Sequence, residues 1–186
     1  GAANVRTPER DSLDLSKELA YAYGGTYHYI YAPLFVNSEE VRDSLEQEPN
    51  IKGCLELARN ADIILTSVGS IVYKSWKSYL STRDLYNLEK KGAIGHIGGH
   101  FYDMEGNEVI TPFVNKMIGL GIEDIKNTEN VICVAGLEMK AEAILGAVRG
   151  GYINTLITDE EAAKAVLALC NCLLYTSPSP RDGLLS

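Results

Sequence analysis

Apolar residues recur at helical spacing across residues 12–23, at Leu13, Leu15, Leu19, Ala20 and Tyr23, and Gly24-Gly25 ends the stripe. Residues 26–32 (TYHYIYA) are rich in β-branched and aromatic side chains and predict a strand that stops at Pro33. Ser38 predicts the cap of a short helix with Val41 and Leu45 on one face. Pro49 opens a second helix, 51–60, with Ile51, Leu55 and Ala58 inward. Residues 62–68 read as a strand closed by Gly69-Ser70, and 81–91 as a helix capped by Ser81 with Leu85 and Leu88 inward. The glycine-rich stretch 92–100 leads through Asp103 and the turn signal Glu105-Gly106-Asn107 to a short strand at Val109-Ile110. Residues 130–135 form a continuous apolar strand, followed by a helix over 138–149 with Ala141, Ile144, Leu145 and Val148 inward. A last strand, 152–157, runs into the capping segment Thr158-Asp159-Glu160-Glu161 and a helix over 162–169.

Short apolar strands alternating with amphipathic helices predict an α/β fold with a parallel sheet covered on both faces. The 186 residues suffice for one domain with a sizeable core. A net charge of −8, from 17 basic and 25 acidic residues, argues against direct nucleic-acid binding and against attraction to an anionic membrane. The longest nearly apolar stretch, 165–174, is about half the length needed to span a bilayer. Cys54 and Cys133 sit in apolar patterns, and Cys170-x-Cys172 lacks the spacing of a redox or zinc pair. With histidine only at 28, 96 and 100, no metal site or cofactor is predicted, and the thiols fit a reducing cytoplasm.

In a parallel sheet, ligands bind at the carboxyl ends of the strands. Those ends are Val68-Gly69-Ser70, the loop Gly136-Leu137-Glu138-Met139-Lys140, and Thr158-Asp159. Lys140 stands at a helix start, where the dipole disfavours a cation unless an anion is bound beside it. A solvated surface lysine is the other reading of that position. His96 and His100 flank Gly98-Gly99, either as hydrogen-bonding groups for a polar ligand or as ordinary residues of a glycine-rich bend. Asp103 precedes a tight turn, which it could serve by capping. Asp62 and Asp159 read as capping groups. Tyr73, Trp76 and Tyr79 form an aromatic stripe suited to core or subunit contact. No nucleophile elbow, phosphate-binding Walker loop or dinucleotide fingerprint occurs.

Five segments together resemble a known family. They are YAPL at 31–34, ADIILTSVGS at 61–70, GAIGHIGGHFYDMEG at 92–106, VICVAGLEMKAEAI at 131–144 and RGGYINTLITDEEA at 149–162. In this order and spacing they are similar to the C-terminal sugar-binding domain of SorC/DeoR-type bacterial transcriptional regulators. The resemblance implies a Rossmann-like three-layer α/β/α sandwich of the sugar-phosphate isomerase, deaminase and CoA-transferase kind, with a mainly parallel sheet. It implies an effector-binding role in carbohydrate metabolism, a phosphorylated sugar or related carbohydrate as ligand, homo-oligomer formation and no catalysis. A sugar-phosphate isomerase- or deaminase-like enzyme, with Asp103 or Glu138 as the carboxylate base, is the alternative. The effector-binding residues implied are Lys140, Asp103, His100, Gly99, Gly69, Ser70, Gly136 and Glu138.

The family carries aspartate where His96 stands, arginine where His100 stands and a second glycine where Leu137 stands. Without that arginine the site loses a rigid bidentate phosphate donor, so the resemblance implies a less phosphorylated or different sugar. The resemblance spans residues 1–169. It implies that the operator-binding helix-turn-helix, the domain's first strand and its phosphate loop lie outside this sequence, leaving a sheet neighbour unpaired. Residues 170–186 depart from the pattern. Within them, CLLYTSPSPRD resembles a translated adaptor-type tail.

Overall fold

The computed structural model describes residues 12–73 and 80–175. Trp76, Tyr79 and the tail from Thr176 lie outside the described residues. The chain divides into two compact units. One holds the residues up to Ile64 together with Gly98–His100 and Ile110–Glu129. The other holds Leu65–Ile97, Phe101–Val109 and the residues from Asn130 onward.

The first unit contains helices α1 (Ser12–Ala22), α2 (Glu39–Glu46), α3 (Pro49–Arg59) and α5 (Ile122–Asn127). Ser38 caps α2 by accepting the Val41 amide at 3.4 Å, and Pro49 opens α3, both as the pattern predicts. The core gathers Ala32, Ile51, Leu55 and Ile118, with Ile30, Val36 and Leu45 packed against it. Leu34 and Val36 exchange backbone bonds with Ile118 and Lys116, tying the turn after Pro33 to the loop before α5.

The strand predicted at 26–32 does not form; no ladder pairs these residues. The tyrosines of this segment pack on one another instead, with ring centroids 5.0 Å apart for Tyr27–Tyr29 and 5.9 Å for Tyr29–Tyr31. β-Propensity measures how a side chain packs on a neighbouring strand, so without that strand it specifies no sheet.

The second unit carries two small sheets. In one, the order is β1 (Ile63–Thr66), β5 (Asn130–Val134), β6 (Thr155–Ile157). β5 and β6 are parallel, with Ile132 opposite Thr155 and Val134 opposite Ile157. In the other, β2 (Val68–Ser70), β3 (Gly95–Ile97) and β4 (His100–Tyr102) lie side by side. β2 and β3 are antiparallel, with Gly69 opposite His96. The single strand predicted at 62–68 is therefore two strands broken at Ser67, the second of which turns into an antiparallel sheet. The predicted strand at Val109-Ile110 reduces to one bridge, Tyr102 to Glu108.

Helix α6 (Ala141–Arg149) packs on β2 and β3, and α7 (Glu160–Tyr175) packs on α6. α7 continues past residue 169, the predicted end of the family pattern. Helix α4 (Thr82–Lys90) begins with a full capping box between Ser81 and Asp84, as predicted, and buries Leu88. Tyr102 and Tyr152 are fully buried, and each hydroxyl has a carbonyl acceptor: Ala143 at 2.8 Å and Gly106 at 2.6 Å. Burial pushes the Tyr102 hydroxyl pKa up, so it stays a donor. The β1–β5–β6 sheet buries Val131 and Cys133 but leaves Leu65, Val134 and Ile157 about half exposed. The prediction of cover on both faces is therefore only half met among the described residues.

Candidate functional site

The antiparallel turn of β2 brings two strand-end segments to one place in the second unit. Ser67–Ser70, His96, Leu137 and Lys140 line a cavity of about 420 Å³. Ser70 is buried, and its Oγ accepts the Val72 amide at 3.4 Å. Lys140 closes a 3₁₀ turn, Glu138–Lys140, that leads into α6, and it is half-buried. The predicted helix start at 138 is thus a tighter turn, with the α-helix proper beginning at Ala141. A half-buried cation before a helix start supplies both a point charge and the positive end of the helix dipole to the same cavity.

The loop that carries Lys140 is shaped by Asp159. Its Oδ2 accepts the Leu137 amide at 2.7 Å, while its Oδ1 accepts the Ala162 amide at 2.8 Å and caps α7. These amide donors hold the Asp159 carboxyl pKa below its ordinary value. The carboxylate lies so close over Gly136 that a Cβ there would sit 2.2 Å from Oδ2, so residue 136 must be glycine. Leu137 then adopts φ 76°, a conformation rare outside glycine that costs on the order of 1–3 kcal/mol. This strain is held by the Asp159 bond at the position where the family carries a second glycine. Asp159 is thus a cap, as predicted, and also the clasp of the cavity loop.

His96 is the residue the sequence reading left uncommitted, and it forms part of the same cavity. Burial first, and the Lys140 charge second, push its pKa down to about 4. The ring is therefore neutral at pH 7. The signal for it was its register partner: only a glycine opposite leaves room for a ring.

The structure brings Gly69, Ser70 and Lys140 together, with Gly136 in the loop behind them. Glu138 is exposed and lines a different, larger cavity with Met139, Glu142 and Leu169. The Asp103 carboxylate is committed to its own turn: Oδ1 accepts the Glu105 amide at 3.0 Å and the Asn107 amide at 2.8 Å, and Oδ2 accepts the Asn107 side chain at 3.1 Å. Gly99 and His100 belong to the first unit. His100 is 3% exposed and donates from Nε2 to the Leu120 carbonyl at 2.9 Å. Gly99, at φ 101°, faces Met117. Among the described residues no group of His, Cys, Asp or Glu could hold a metal ion, and no helix is long and apolar enough to cross a membrane.

Comparison with known proteins agrees with this geometry. The chain is 35% identical over 144 residues to the transcriptional regulator LsrR of Escherichia coli, a match covering 74% of this chain and 45% of that protein. It is 28% identical over 164 residues to the E. coli transcriptional regulator YjhU, covering 87% and 50%. It thus spans about half the length of the curated relatives it matches. The solved sugar-binding domain of a transcriptional repressor from Vibrio fischeri superposes with a TM-score of 0.78 at 30% identity, covering 87% of this chain and 66% of that one. The full-length sorbitol operon regulator SorC of Klebsiella pneumoniae shares the fold, with a TM-score of 0.81 at 24% identity over 86% of this chain and 53% of that one. With the sugar-binding domain model matching residues 1–168, the chain belongs to the family of sugar-binding domains of SorC/DeoR-type transcriptional regulators.

Proposed function

We propose that this chain is the effector-binding part of a bacterial regulator of carbohydrate metabolism, and that a phosphorylated sugar or related carbohydrate occupies the cavity between the 67–70 and 136–140 loops. In this reading it is a sensor and not an enzyme, it acts as a homo-oligomer in the cytoplasm, and operator DNA is reached through a separate domain. The observation that carries the reading is Lys140, a half-buried cation lining a cavity with the Ser70 hydroxyl and the glycine backbone at 69. The anionic end of the ligand pairs with Lys140, and the serines and His96 face its hydroxyls. The acidity of the chain fits a sensor whose DNA reader lies elsewhere. The carboxylates available for an isomerase-like reaction support catalysis poorly, since Asp103 is occupied by its turn and Glu138 lines another cavity.

The test is equilibrium binding and thermal stability of the chain against hexose and pentose monophosphates and their unphosphorylated parents. A ligand at 100 times its Kd adds about 2.7 kcal/mol of stability. The expected result is binding by at least one sugar phosphate, weakened about tenfold or more in Lys140→Ala, equivalent to about 1.4 kcal/mol. Failure of every sugar and sugar phosphate to bind overturns the reading.

A further inference from the structure

His96 is clamped from two sides. Across the β2–β3 register, a Cβ on Gly69 would lie 2.0 Å from Nε2 and 2.4 Å from Cε1 of His96, so the imidazole rests on the Gly69 backbone itself. On the other side the ring meets Phe101, itself fully buried, with centroids 5.6 Å apart. A ring held this way has a fixed orientation before any ligand arrives, the requirement for a discriminating contact. The same ring lines the cavity that holds Lys140 and Ser70.

The hydrogen-bonding inventory of that cavity is uneven. A lysine ammonium only donates, and phosphate or carboxylate oxygens suit it. A neutral imidazole carries one donor and one acceptor, the combination that matches a hydroxyl, which can accept and donate at once. A deoxy position offers such a ring nothing and leaves a buried polar atom facing carbon, which is why sites built to bond a hydroxyl reject analogues lacking it.

We propose that His96, seated on Gly69, is a specificity-determining residue of the cavity: it reads a hydroxyl of the bound carbohydrate close to the anionic group that Lys140 holds. This rests on the reading of the cavity as a sugar-phosphate site, and it adds which residue chooses among sugars. It also assigns a reason to Gly69, whose lack of a side chain seats the ring and need not touch the ligand.

The experiment compares the wild type, His96→Phe, His96→Gln and Gly69→Ala, with the tightest-binding monophosphate from the panel above and its set of monodeoxy analogues. His96→Phe keeps a ring between Gly69 and Phe101 and removes both polar atoms. Gln restores a donor and an acceptor. Melting curves establish that each variant folds, and Gly69→Ala reaches the same contact from the other strand should the Phe variant fail to fold. For the wild type, one deoxy analogue binds at least tenfold more weakly than its parent. In His96→Phe the parent loses about the same factor and that analogue loses almost nothing, so the discrimination collapses. It collapses likewise in Gly69→Ala and is retained within a few-fold in His96→Gln. If the wild type binds sugar phosphates but His96→Phe and Gly69→Ala keep the wild-type ratio of parent to analogue, the proposal falls while the sugar-phosphate reading stands. If the wild type binds no sugar phosphate, both fall.

Discussion

His96 on β3 and His100 on β4 stand four residues apart in one glycine-rich hairpin. His100 is buried and donates to the Leu120 carbonyl at 2.9 Å, an attachment within the first unit. His96 lies in the second unit, opposite a glycine, with its ring facing a cavity that also holds a cation. Residue type and spacing are the same for both; what differs is the partner across the strand. Gly69 admits a ring beside open space, whereas the Leu120 carbonyl claims the ring of His100. A histidine thus becomes a candidate ligand contact through the smallness of its neighbour, and it becomes a structural residue through a backbone acceptor that nothing else satisfies.

Three experiments break or sharpen this contrast. The largest effect falls on His96 through pH. Its folded pKa of about 4 is below the ordinary value of 6.5, so between those values the unfolded chain takes up a proton that the folded chain refuses. Stability contributed by this group is complete above about pH 6.5 and is lost as pH falls toward 4, by about 3 kcal/mol in all. Urea unfolding across this range, compared with His96→Gln, isolates the slope; equal slopes in the two proteins contradict the burial of the ring. Next, His100→Ala removes the donor to Leu120 and lowers stability by about 2 kcal/mol at neutral pH. Ligand affinity in the refolded variant stays within twofold of the wild type, and a large loss of affinity would move His100 into the site. The smallest effect is that of Asp159→Asn. It weakens the amide bonds to Leu137 and Ala162, lowers the melting midpoint by about 2 °C and reduces ligand affinity a few-fold through the loop that carries Lys140.

The parts of the fold legible in the sequence are those decided locally. Ser38, Ser81 with Asp84, and Pro49 announce helix starts because capping involves residues three positions apart. The apolar run at 130–134 forms the strand it predicts. The errors fall where a distant partner decides. Residues 26–32 have strong β-propensity and no ladder, and the strand at 62–68 breaks because Val68–Ser70 pairs with Gly95–Ile97, a segment about 27 positions on. The family resemblance placed Lys140, Gly69 and Ser70 together in advance. It did not separate His96 from His100, since that choice depends on register and on a carbonyl in another unit. Leu137 shows a further limit: its strained φ follows from the Asp159 bond, which joins residues 22 positions apart.

The cavity reading is tested most directly by following the three histidine rings during titration. The chain has histidine only at 28, 96 and 100, so the Cε1–H signals form a three-line spectrum assignable by single substitutions. On saturation with the sugar phosphate that binds most tightly, the His96 signal shifts while those of His28 and His100 stay in place. Saturable binding that leaves His96 unmoved would contradict the account.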